Sequence, residues 1–468
     1  MRLLFCALLA GLLSTCSTHP PLLEQVLDLG ELRVATRQSP TSYYEGIDGP
    51  AGPEYDLARG FAEQLGVELI IIPVVSVADI VPALVSAEAH MAAAGLSVTQ
   101  SRLEYTRFSQ PYDQVDTHLV YKLGTGKPRS IEDVIGGRIE VIAGSSHVDT
   151  LVALRDDYPD LEWVENADLE VSDLLDKVVS GEIDYTLADT TDFNIHRHYH
   201  PDLRIALDLE LADPIAWAFK KDRGDSLLAA ADEYLIEAKR NGLLAQIRER
   251  YYGHTDRFDY VGTRSFIRHV DSRLPRFRDW FETAGMESGI DWRLLAAIGY
   301  QESHWRAKAV SPTGVRGIMM LTEDTAEYLG LDDRLDPQSS IEGGARFFAR
   351  QIERVPDSVP EPDRTWMALA AYNVGFNHLK DAMKIAEMQG GDPNRWVDVS
   401  EALPLLSQRK WYSKVKYGYA RGWEPVLYVK NIRSYFDILL WLTSNEEVES
   451  ETDESEEELS NSALTENA

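Results

Sequence analysis

Between residues 30 and 207, the chain alternates short apolar runs with longer segments whose apolar residues recur at helical spacing. The run ELRVAT at 31–36 predicts a strand, and EYDLARGFAEQLG at 54–66 predicts a helix that ends at a glycine. VELIIIPVV at 67–75 has the composition of a buried strand. The alternation returns at 139–207. This βαβ order predicts two α/β lobes of similar size, built on mixed, mostly parallel sheets, with a binding cleft between them.

From about residue 264 the strand-type runs disappear, and helical patterns joined by Gly and Pro turns continue to about residue 444. The polar and aromatic stretch YYGHTDRFDYVGT at 251–263 separates the two patterns. We therefore expect a multidomain chain, with a two-lobed α/β domain followed by a mainly α-helical domain. The expected segments are a leader at 1–15, the two-lobed domain at 22–252, a linker at 253–263, the helical domain at 264–445 and an acidic tail at 446–468.

One predicted helix of the second domain carries a carboxylate on its apolar side. The helix lies in DWRLLAAIGYQESHW at 291–305, where Asp291 is suited to the N-cap. Leu295, Ile298 and Glu302 fall on one stripe, at spacings of three and four residues. Burial of that stripe disfavours the charged carboxylate, so the pKa of Glu302 should rise, as a general acid requires. Periodicity alone is equally compatible with a surface glutamate at a helix end.

The first residues have the pattern of an export signal. MRLLFCALLAGLLSTCSTHP contains an early arginine, an apolar run from Leu3 to Leu13 and then small residues. The run is too short to be a stable transmembrane helix. Cys6 and Cys16 are the two cysteines of the chain, so cleavage before Cys16 would leave it without a disulfide partner. The stretch resembles a bacterial lipoprotein box, which predicts lipidation at Cys16 and attachment to the periplasmic face of the outer membrane. An ordinary cleaved signal is the alternative.

The charge of the chain argues against one class of partner. Its formal net charge is −31 and its pI is near 4.7. Nucleic-acid binding needs clustered Lys and Arg, so no nucleic acid is expected. The stretch EEVESETDESEEE at 446–458 contributes nine acids and no base, which predicts a solvated, disordered tail. The histidines are scattered, and no phosphate loop or dinucleotide fingerprint is present, so neither a metal nor a cofactor is expected.

Three motifs of the first half resemble the periplasmic solute-binding proteins for amino acids. They are GPEYDLARGFAEQLG, GLSVTQSRLEYTRFSQPY at 95–112 and GEIDYTLAD, and the resemblance covers roughly residues 30–252. It implies an amino-acid or muropeptide ligand whose carboxylate is gripped by Thr99 and Arg102, because arginine offers a planar fork to a carboxylate. A surface or interlobe ion pair is the alternative role of Arg102.

The same resemblance implies three ligand-binding residues in the second lobe. Ser145 and Ser146 would supply hydroxyl or backbone N–H donors, and Asp189 would receive the ligand's ammonium group. The first half would then be a non-catalytic, regulatory domain.

Four ordered motifs of the second half resemble a family of enzymes. They are QES around Glu302, GIMMLT at 317–322, AYNVG at 371–375 and YVKNI at 428–432. In this order and spacing they resemble the lytic transglycosylases of the goose-lysozyme-like helical fold, over roughly residues 285–440. The resemblance implies peptidoglycan as the substrate and a 1,6-anhydromuramoyl product. The lipoprotein signal and the solute-binding-type half make the chain similar to a membrane-bound branch of these enzymes.

The resemblance implies that Glu302 is the catalytic residue, first as general acid toward the leaving sugar oxygen and then as general base toward the muramoyl 6-hydroxyl. Because no water attacks, a second catalytic carboxylate is not required. Ser303 would orient the acid or the substrate's acetamide group, and Met319 would line the apolar side of the cleft. Tyr372 and Tyr428 would hydrogen-bond Glu302 or the acetamide group, and Asn373 would bond a sugar or a backbone group. The implied substrate-binding residues are Ser303, Met319, Met320, Tyr372, Asn373 and Tyr428. Met320 departs from the family pattern, which has Gln there, so one sugar contact must be made differently.

Two other functions compete with this interpretation. The chain could be an amino-acid- or peptide-binding lipoprotein with an inactive helical half, although the retained Glu302 and later motifs argue against it. It could also be a hydrolytic muramidase of related fold. That enzyme would need a water-activating carboxylate, for which Glu323, Asp324 and Glu327 are available in sequence.

Overall fold

The computed structural model describes residues 20–46, 49–255, 260–310 and 315–465, with side chains to residue 444. The leader predicted at 1–15 and the lipidation site Cys16 lie outside the described residues. Within the described ranges, no helix combines the length and the apolar character that crossing a bilayer would take.

The strands of the described chain all belong to the first half. They are β1 (Glu31–Arg37), β2 (Tyr44–Gly46), β3 (Gly49–Ala51), β4 (Glu68–Val74), β5 (Met91–Ala92), β6 (Thr106–Phe108), β7 (Asp113–Lys122), β8 (Ile139–Ile142), β9 (Val164–Asn166), β10 (Tyr185–Asp189), β11 (Leu203–Ile215) and β12 (Ala218–Lys220).

Helices occur in both halves. Those of the first half are α1 (Leu22–Leu29), α2 (Pro53–Leu65), α3 (Ile80–Val85), α4 (Gln100–Leu103), α5 (Ser146–Asp157), α6 (Val171–Ser180), α7 (Thr190–Tyr199), α8 (Ser226–Arg240) and α9 (Leu243–Tyr252). Those of the second half are α10 (Tyr260–Ser272), α11 (Arg278–Ser288), α12 (Trp292–Ser303), α13 (Glu323–Leu329), α14 (Pro337–Arg354), α15 (Asp363–Val374), α16 (Phe376–Gln389), α17 (Trp396–Ala402), α18 (Arg409–Tyr412) and α19 (Trp423–Thr465). Short 3₁₀ turns are found at Val77–Asp79, Glu132–Val134, Leu274–Arg276 and Leu403–Ser407.

Two five-stranded sheets confirm the predicted pair of α/β lobes. The first has the order β4-β1-β5-β12-β6 and the second the order β11-β7-β10-β8-β9. Strand β1 runs parallel to β4 and β5, and β8 runs parallel to β9 and β10. The sheets are more evenly mixed than expected, since β12 and β7 are antiparallel to their neighbours. The reason is that the chain crosses to the second lobe between β6 and β7 and returns between β11 and β12.

The two halves have separate apolar cores. In the first lobe, Phe61 and Trp217 pack with Tyr234 between the sheet and helices α2 and α8. The second half has one large core that joins its helices, including α12, α14, α15 and α19. The predicted mainly α-helical domain is therefore confirmed.

Two expected boundaries differ in the structure. Helix α10 begins at Tyr260, inside the linker expected at 253–263, because fully buried Phe266 needs the preceding turn to reach the core. Helix α19 continues through most of the tail expected to be disordered at 446–468, since its backbone is helical to Thr465. Glutamate has a high helix propensity, and a helix already nucleated by packing extends at little cost.

Candidate active site

Helix α12 delivers Glu302 to the site in its last turn. Asp291 caps the helix, its side chain accepting a hydrogen bond from the backbone N–H of Arg293 at 2.8 Å. Beyond Ser303 the chain leaves the helix through two consecutive residues with positive φ, His304 at 51° and Trp305 at 53°. The buried indole of Trp305 donates back to the carbonyl of Ala296 at 2.9 Å. This hydrogen bond fixes the C-terminal end of α12, and therefore the position of Glu302.

The carboxyl group of Glu302 is held by a tyrosine from the far end of the domain. The Tyr428 hydroxyl, on α19, donates to Glu302 Oε1 at 2.7 Å. Burial raises the pKa of Glu302 to about 7, against the opposing effect of the Tyr428 hydrogen bond. The predicted rise is thus confirmed. Among the described residues, no donor bonds the second oxygen, Oε2, and the side chain keeps part of its surface exposed. One oxygen is therefore available to a substrate.

Tyr372 contacts the site in a different way from the one expected. Its hydroxyl donates to the carbonyl oxygen of Met319 at 3.0 Å, not to Glu302. Its ring is nearly parallel to that of Tyr428, with centroids 6.5 Å apart. Met320 follows with a φ of 47°, a left-handed conformation that a side chain rarely adopts. Tyr372 therefore fixes the loop at a strained residue beside the site.

The prediction that Met319 lines the cleft is wrong. Its side chain is fully buried and packs between two glycines, Gly299 of α12 and Gly344 of α14. A Cβ at Gly344 would lie 2.7 Å from the Met319 terminal methyl, which explains the small residues there. Met319 is a core residue, and the partly exposed Met320 is the one that borders the surface.

Two other predicted residues form no hydrogen bond with the carboxyl group of Glu302. Ser303 is buried, and its hydroxyl donates to the carbonyl of Gly299 at 3.0 Å, so its proton is already used. Asn373 lies at the exposed end of α15. Sequence reasoning missed a third contact, in which the Asn431 amide of α19 donates to Gln301 Oε1 at 3.1 Å. Both Asn431 and Tyr428 belong to the YVKNI motif, and their three-residue helical separation could have suggested a shared face.

The carboxylates proposed for a hydrolytic mechanism lie elsewhere. Glu323, Asp324 and Glu327 are exposed on α13, and Glu323 pairs with Arg334 at 2.8 Å. In the part of the chain that the structure describes, no second carboxylate lies close enough to shift the pKa of Glu302. Within the described ranges, the geometry thus presents one acid and no second carboxylate beside it that could activate water.

In the first half, Arg102 is buried and joins the two lobes. Its Nη1 donates to the carbonyl of Ser97 at 2.8 Å, and its Nη2 donates to the carbonyl of Gly144, in the other lobe, at 3.3 Å. The alternative of a surface or interlobe ion pair is not found among the described residues, where the acceptors are carbonyls. Burial lowers the pKa of Arg102 to about 10, so the guanidinium remains charged near neutral pH.

The other predicted ligand residues surround a small cavity of about 40 Å³ beside Arg102. Ser145 and Ser146 start helix α5 there, and Ser145 Oγ donates to the carbonyl of Ile142 at 2.6 Å. Asp189 faces the same cavity; burial opposes its ionisation, but His147 and Thr117, each 3.1 Å away, hold the pKa below its ordinary value. Thr99 is not among the residues that line this cavity, and its side chain caps helix α4 instead.

A larger cavity of about 280 Å³ adjoins the small one, and residues of both lobes line it, as the predicted cleft requires. Arg37 and Asp192 border both cavities, and Arg37 also pairs with Glu170 of the second lobe at 2.8 Å. One wall is helix α9, through Leu244, Ile247 and neighbouring residues. The sequence did not indicate this wall, because helix α9 lies at the C-terminal end of the domain, whereas Glu54, Gly95 and Asp189 of the recognised motifs also line the cavity.

Helix α9 also packs against the helical domain. Arg433 of α19 is 1% exposed, and it donates to Glu249 Oε1 at 2.9 Å and to the carbonyls of Glu249 and Arg250 at 2.8 and 2.7 Å. Arg250 in turn pairs with Asp56 of α2 and Asp363 of α15. The buried guanidinium of Arg433 thus joins α9, which forms the cavity wall, to α19, which carries Tyr428.

Comparisons with known proteins assign both halves. The family of bacterial extracellular solute-binding proteins, family 3, matches residues 32–254, and the transglycosylase SLT domain matches residues 279–394. The chain is 50% identical to the membrane-bound lytic murein transglycosylase F 1 of Alkalilimnicola ehrlichii over 423 residues, covering 90% of this chain and 86% of that protein. It is 48% identical to the membrane-bound lytic murein transglycosylase F of Stutzerimonas stutzeri, covering 92% and 89%, and 47% identical to that of Idiomarina loihiensis, covering 93% and 96%.

Among solved structures, the chain is similar to an ancestral arginine-binding protein bound to arginine, at 26% identity and a TM-score of 0.44, covering 48% of this chain and 98% of that one. It is also similar to the cysteine-binding protein of Campylobacter jejuni, at 19% identity and a TM-score of 0.46, covering 51% and 97%.

Proposed function

The chain belongs to the membrane-bound lytic murein transglycosylase F family, and from that premise we propose that Glu302 is its single catalytic acid and base. The enzyme is a peptidoglycan lytic transglycosylase. It cleaves the β-1,4 bond between N-acetylmuramic acid and N-acetylglucosamine and forms a 1,6-anhydromuramoyl product. As a member of a membrane-bound family, it is associated with a membrane of the cell envelope.

The reaction needs one group to give and then take a proton. Neutral Glu302 donates its proton to the glycosidic oxygen as the bond from that oxygen to the muramoyl C1 breaks. The resulting carboxylate takes the proton of the muramoyl 6-hydroxyl, whose oxygen bonds to C1, so no water is consumed. Tyr428 holds Oε1, leaving Oε2 to face the substrate. The substrate's acetamide group is suited to stabilise the positive charge at C1.

The observation that carries this proposal is the combination of a pKa of about 7 with one unoccupied carboxyl oxygen. A carboxyl with an ordinary pKa would be ionised at neutral pH and could not donate a proton. The absence of a neighbouring carboxylate among the described residues supports attack by the 6-hydroxyl and not by water.

Digestion of purified sacculi tests the reaction class. Mass spectrometry of the released fragments should find anhydromuramoyl ends, 18 Da lighter than reducing ends by loss of one water. Reducing ends in the products of the wild-type enzyme would instead support the hydrolytic muramidase.

For the first half, we propose that an amino acid or muropeptide binds beside Arg102 and regulates the second half. Arg102 and Asp189 bring a cation and an anion to the cavity between the lobes, which suits a zwitterionic ligand. Helix α9 forms a wall of the larger cavity, so a ligand bound there contacts α9, and Arg433 ties α9 to α19. Because α19 carries Tyr428, a shift of α9 has a direct route to Glu302.

Calorimetric titration with single amino acids and with muropeptides tests this role. Arg102→Ala should weaken binding at least about tenfold, because a charge-assisted hydrogen bond is lost. Lys127→Ala, an exposed residue of the same half, is the matched control. Equal affinities in Arg102→Ala and the wild type would remove Arg102 from the ligand site.

For membrane attachment, we propose that an acylated Cys16 anchors the chain to the periplasmic face of the outer membrane. The proposal is supported by the leader pattern and by the membrane-bound relatives. Cell fractionation should find the wild type in the outer membrane and Cys16→Ser in the soluble periplasmic fraction. A Cys16→Ser variant that stays in the membrane would contradict a lipid anchor.

A further inference from the structure

One exposed segment of the helical domain has a charge opposite to that of the chain as a whole. Residues 409–423, RKWYSKVKYGYARGW, contain five cations and no acid, although the chain carries a net charge of −31. The five cations are all exposed. Arg421 pairs with Glu424 at 2.9 Å, whereas among the described side chains the other four form no salt bridge. We call residues 409–423 the basic-aromatic segment.

The same segment exposes large aromatic side chains. Trp423 is 55% exposed and Tyr419 is 58% exposed, and Tyr417 also reaches the surface. Lysine side chains lie beside these rings: the Lys416 ammonium is 5.2 Å from the Tyr417 ring centroid, and that of Lys414 is 5.0 Å from the partly buried ring of Trp411. Large aromatics that remain exposed as a group mark interaction surfaces.

The backbone of the segment is held firmly. Buried Asp381 accepts hydrogen bonds from the N–H groups of three successive residues, 416, 417 and 418, at 3.1, 2.7 and 3.0 Å. The N–H of Ala420 donates to the carbonyl of Leu406 at 3.1 Å. Gly422 packs against the backbone of Leu403 so closely that any Cβ would clash. The exposed rings therefore stand on a fixed loop, and binding to them would cost little ordering entropy.

The basic-aromatic segment leads directly to the active site. Trp423 begins α19, and Tyr428, the partner of Glu302, follows five residues later, about 7.5 Å along the helix axis. Leu427, exposed and one turn beyond Trp423, extends the exposed apolar surface along the first turns of α19.

We propose that the basic-aromatic segment is a second binding surface for peptidoglycan, which holds the uncleaved strand beside the active site. Exposed rings stack on the apolar faces of sugar rings, and lysines pair with the carboxylates of the stem peptides. The surface rests on the proposed function, since its occupant is the substrate of Glu302. Its cationic charge lets an acidic enzyme hold an anionic polymer that its net charge would otherwise repel.

Cosedimentation with intact sacculi tests the surface. The experiment uses the mature chain with Cys16→Ser, and with Glu302→Gln so that binding is measured without digestion. Adding Lys414→Glu and Lys416→Glu should weaken sacculus binding at least about tenfold, and the loss should shrink as salt is raised. Lys127→Glu with Lys384→Glu, two exposed lysines elsewhere, changes the charge equally and should leave binding near that of the parent.

Aromatic variants test stacking separately from charge. Tyr419→Ala and Trp423→Ala should each weaken binding about tenfold, with an effect that persists in high salt. A melting curve verifies folding, and Tyr419→Ala decides the matter if Trp423→Ala is unstable, because Tyr419 precedes the helix. Binding unchanged by both the charge and the aromatic variants would overturn the proposal.

A third arm separates the glycan from a membrane surface. Vesicles of phosphatidylglycerol and phosphatidylethanolamine should bind the parent and the lysine variant equally. Lysine-dependent binding to vesicles, without lysine-dependent binding to sacculi, would make the segment a membrane contact and overturn the proposal. The anhydromuramoyl ends made by the wild type are a separate readout, so failure of the surface and failure of the reaction assignment remain distinguishable.

Discussion

Each half of the molecule buries a glutamate whose pKa is raised to about 7 by burial, and each glutamate accepts a hydrogen bond from a tyrosine. In the two-lobed half, the Tyr112 hydroxyl donates to Glu54 Oε1 at 2.5 Å. In the helical half, the Tyr428 hydroxyl donates to Glu302 Oε1 at 2.7 Å. Judged by pKa alone, both would be candidates for a general acid.

The two carboxyl groups differ in whether an oxygen is left without a hydrogen-bond donor and accessible to a substrate. Glu54 is 5% exposed, and its second oxygen accepts from the indole N–H of buried Trp217 at 3.2 Å. Both of its oxygens therefore serve the fold of the first lobe. Glu302 has one oxygen without a donor among the described residues, on a side chain that is still partly exposed. A raised pKa identifies a buried carboxyl group, and an unoccupied, accessible oxygen identifies a reactive one.

The largest expected difference between the two glutamates is in catalysis. Glu302→Gln should lower the release of soluble fragments from sacculi by about 10³-fold or more, since an amide can neither give nor take the proton. Glu54→Gln should retain clear activity when assayed beside it. Similar losses in both variants would mean that the comparison does not separate catalysis from folding.

The next prediction concerns Arg433, which joins the two halves. Arg433→Met should destabilise the protein by about 3 kcal/mol, because it leaves Glu249 and two backbone carbonyls without their buried donor. Urea unfolding measures the loss, with the exposed Arg346→Met as control. An unfolding free energy equal to that of the control would show that the two halves are not held together by this arginine.

The pH dependence of stability tests the raised pKa of Glu54. The native pKa of Glu54, about 7, exceeds its ordinary value of 4.5, so its stabilising contribution is complete below pH 4.5 and is lost as the pH rises toward 7. The loss corresponds to about 3 kcal/mol. Glu54→Gln cannot ionise, so its urea midpoint should fall less than that of the wild type between pH 5 and pH 7. An equal fall in both proteins would contradict the raised pKa.

The sequence predicted more of Glu302 than of its surroundings. Helical periodicity located its apolar stripe, and the ordered motifs, within one strongly patterned helical domain, identified its chemistry. The hydrogen bond with Tyr428 spans 126 residues, and no local pattern encodes such a contact, so only the family resemblance could suggest Tyr428 as a partner of Glu302. Met319 was misjudged because a motif records which residue is retained and not which way its side chain points.

The first half shows the same limit. Alternating apolar runs predicted both lobes, but the antiparallel strands depend on where the chain crosses between them. Arg102 was expected to bind the carboxylate of a ligand, yet its guanidinium already donates hydrogen bonds to backbone carbonyls of both lobes. Arg433 carried no sequence signal, since a buried arginine on a long helix is recognisable only from the partners that surround it.

The smallest expected difference separates the two tyrosines. Tyr428→Phe removes a hydrogen bond that lowers the pKa of Glu302, so that pKa should rise by up to about one unit, or about 1.4 kcal/mol. The alkaline limb of the kcat/KM profile on soluble glycan strands should move to higher pH. Tyr112→Phe should leave that limb in place. A downward shift in Tyr428→Phe would contradict the assigned hydrogen bond.

The titration of Glu302 itself tests the central claim most directly. Carbon-13 NMR of the chain labelled at the glutamate side-chain carboxyl carbons should find a resonance that titrates near pH 7 and is absent from Glu302→Gln. The alkaline limb of the wild-type kcat/KM profile should have the same pKa. A Glu302 resonance that titrates near the ordinary value of 4.5 would contradict the account, because the carboxyl group would then hold no proton to donate at neutral pH.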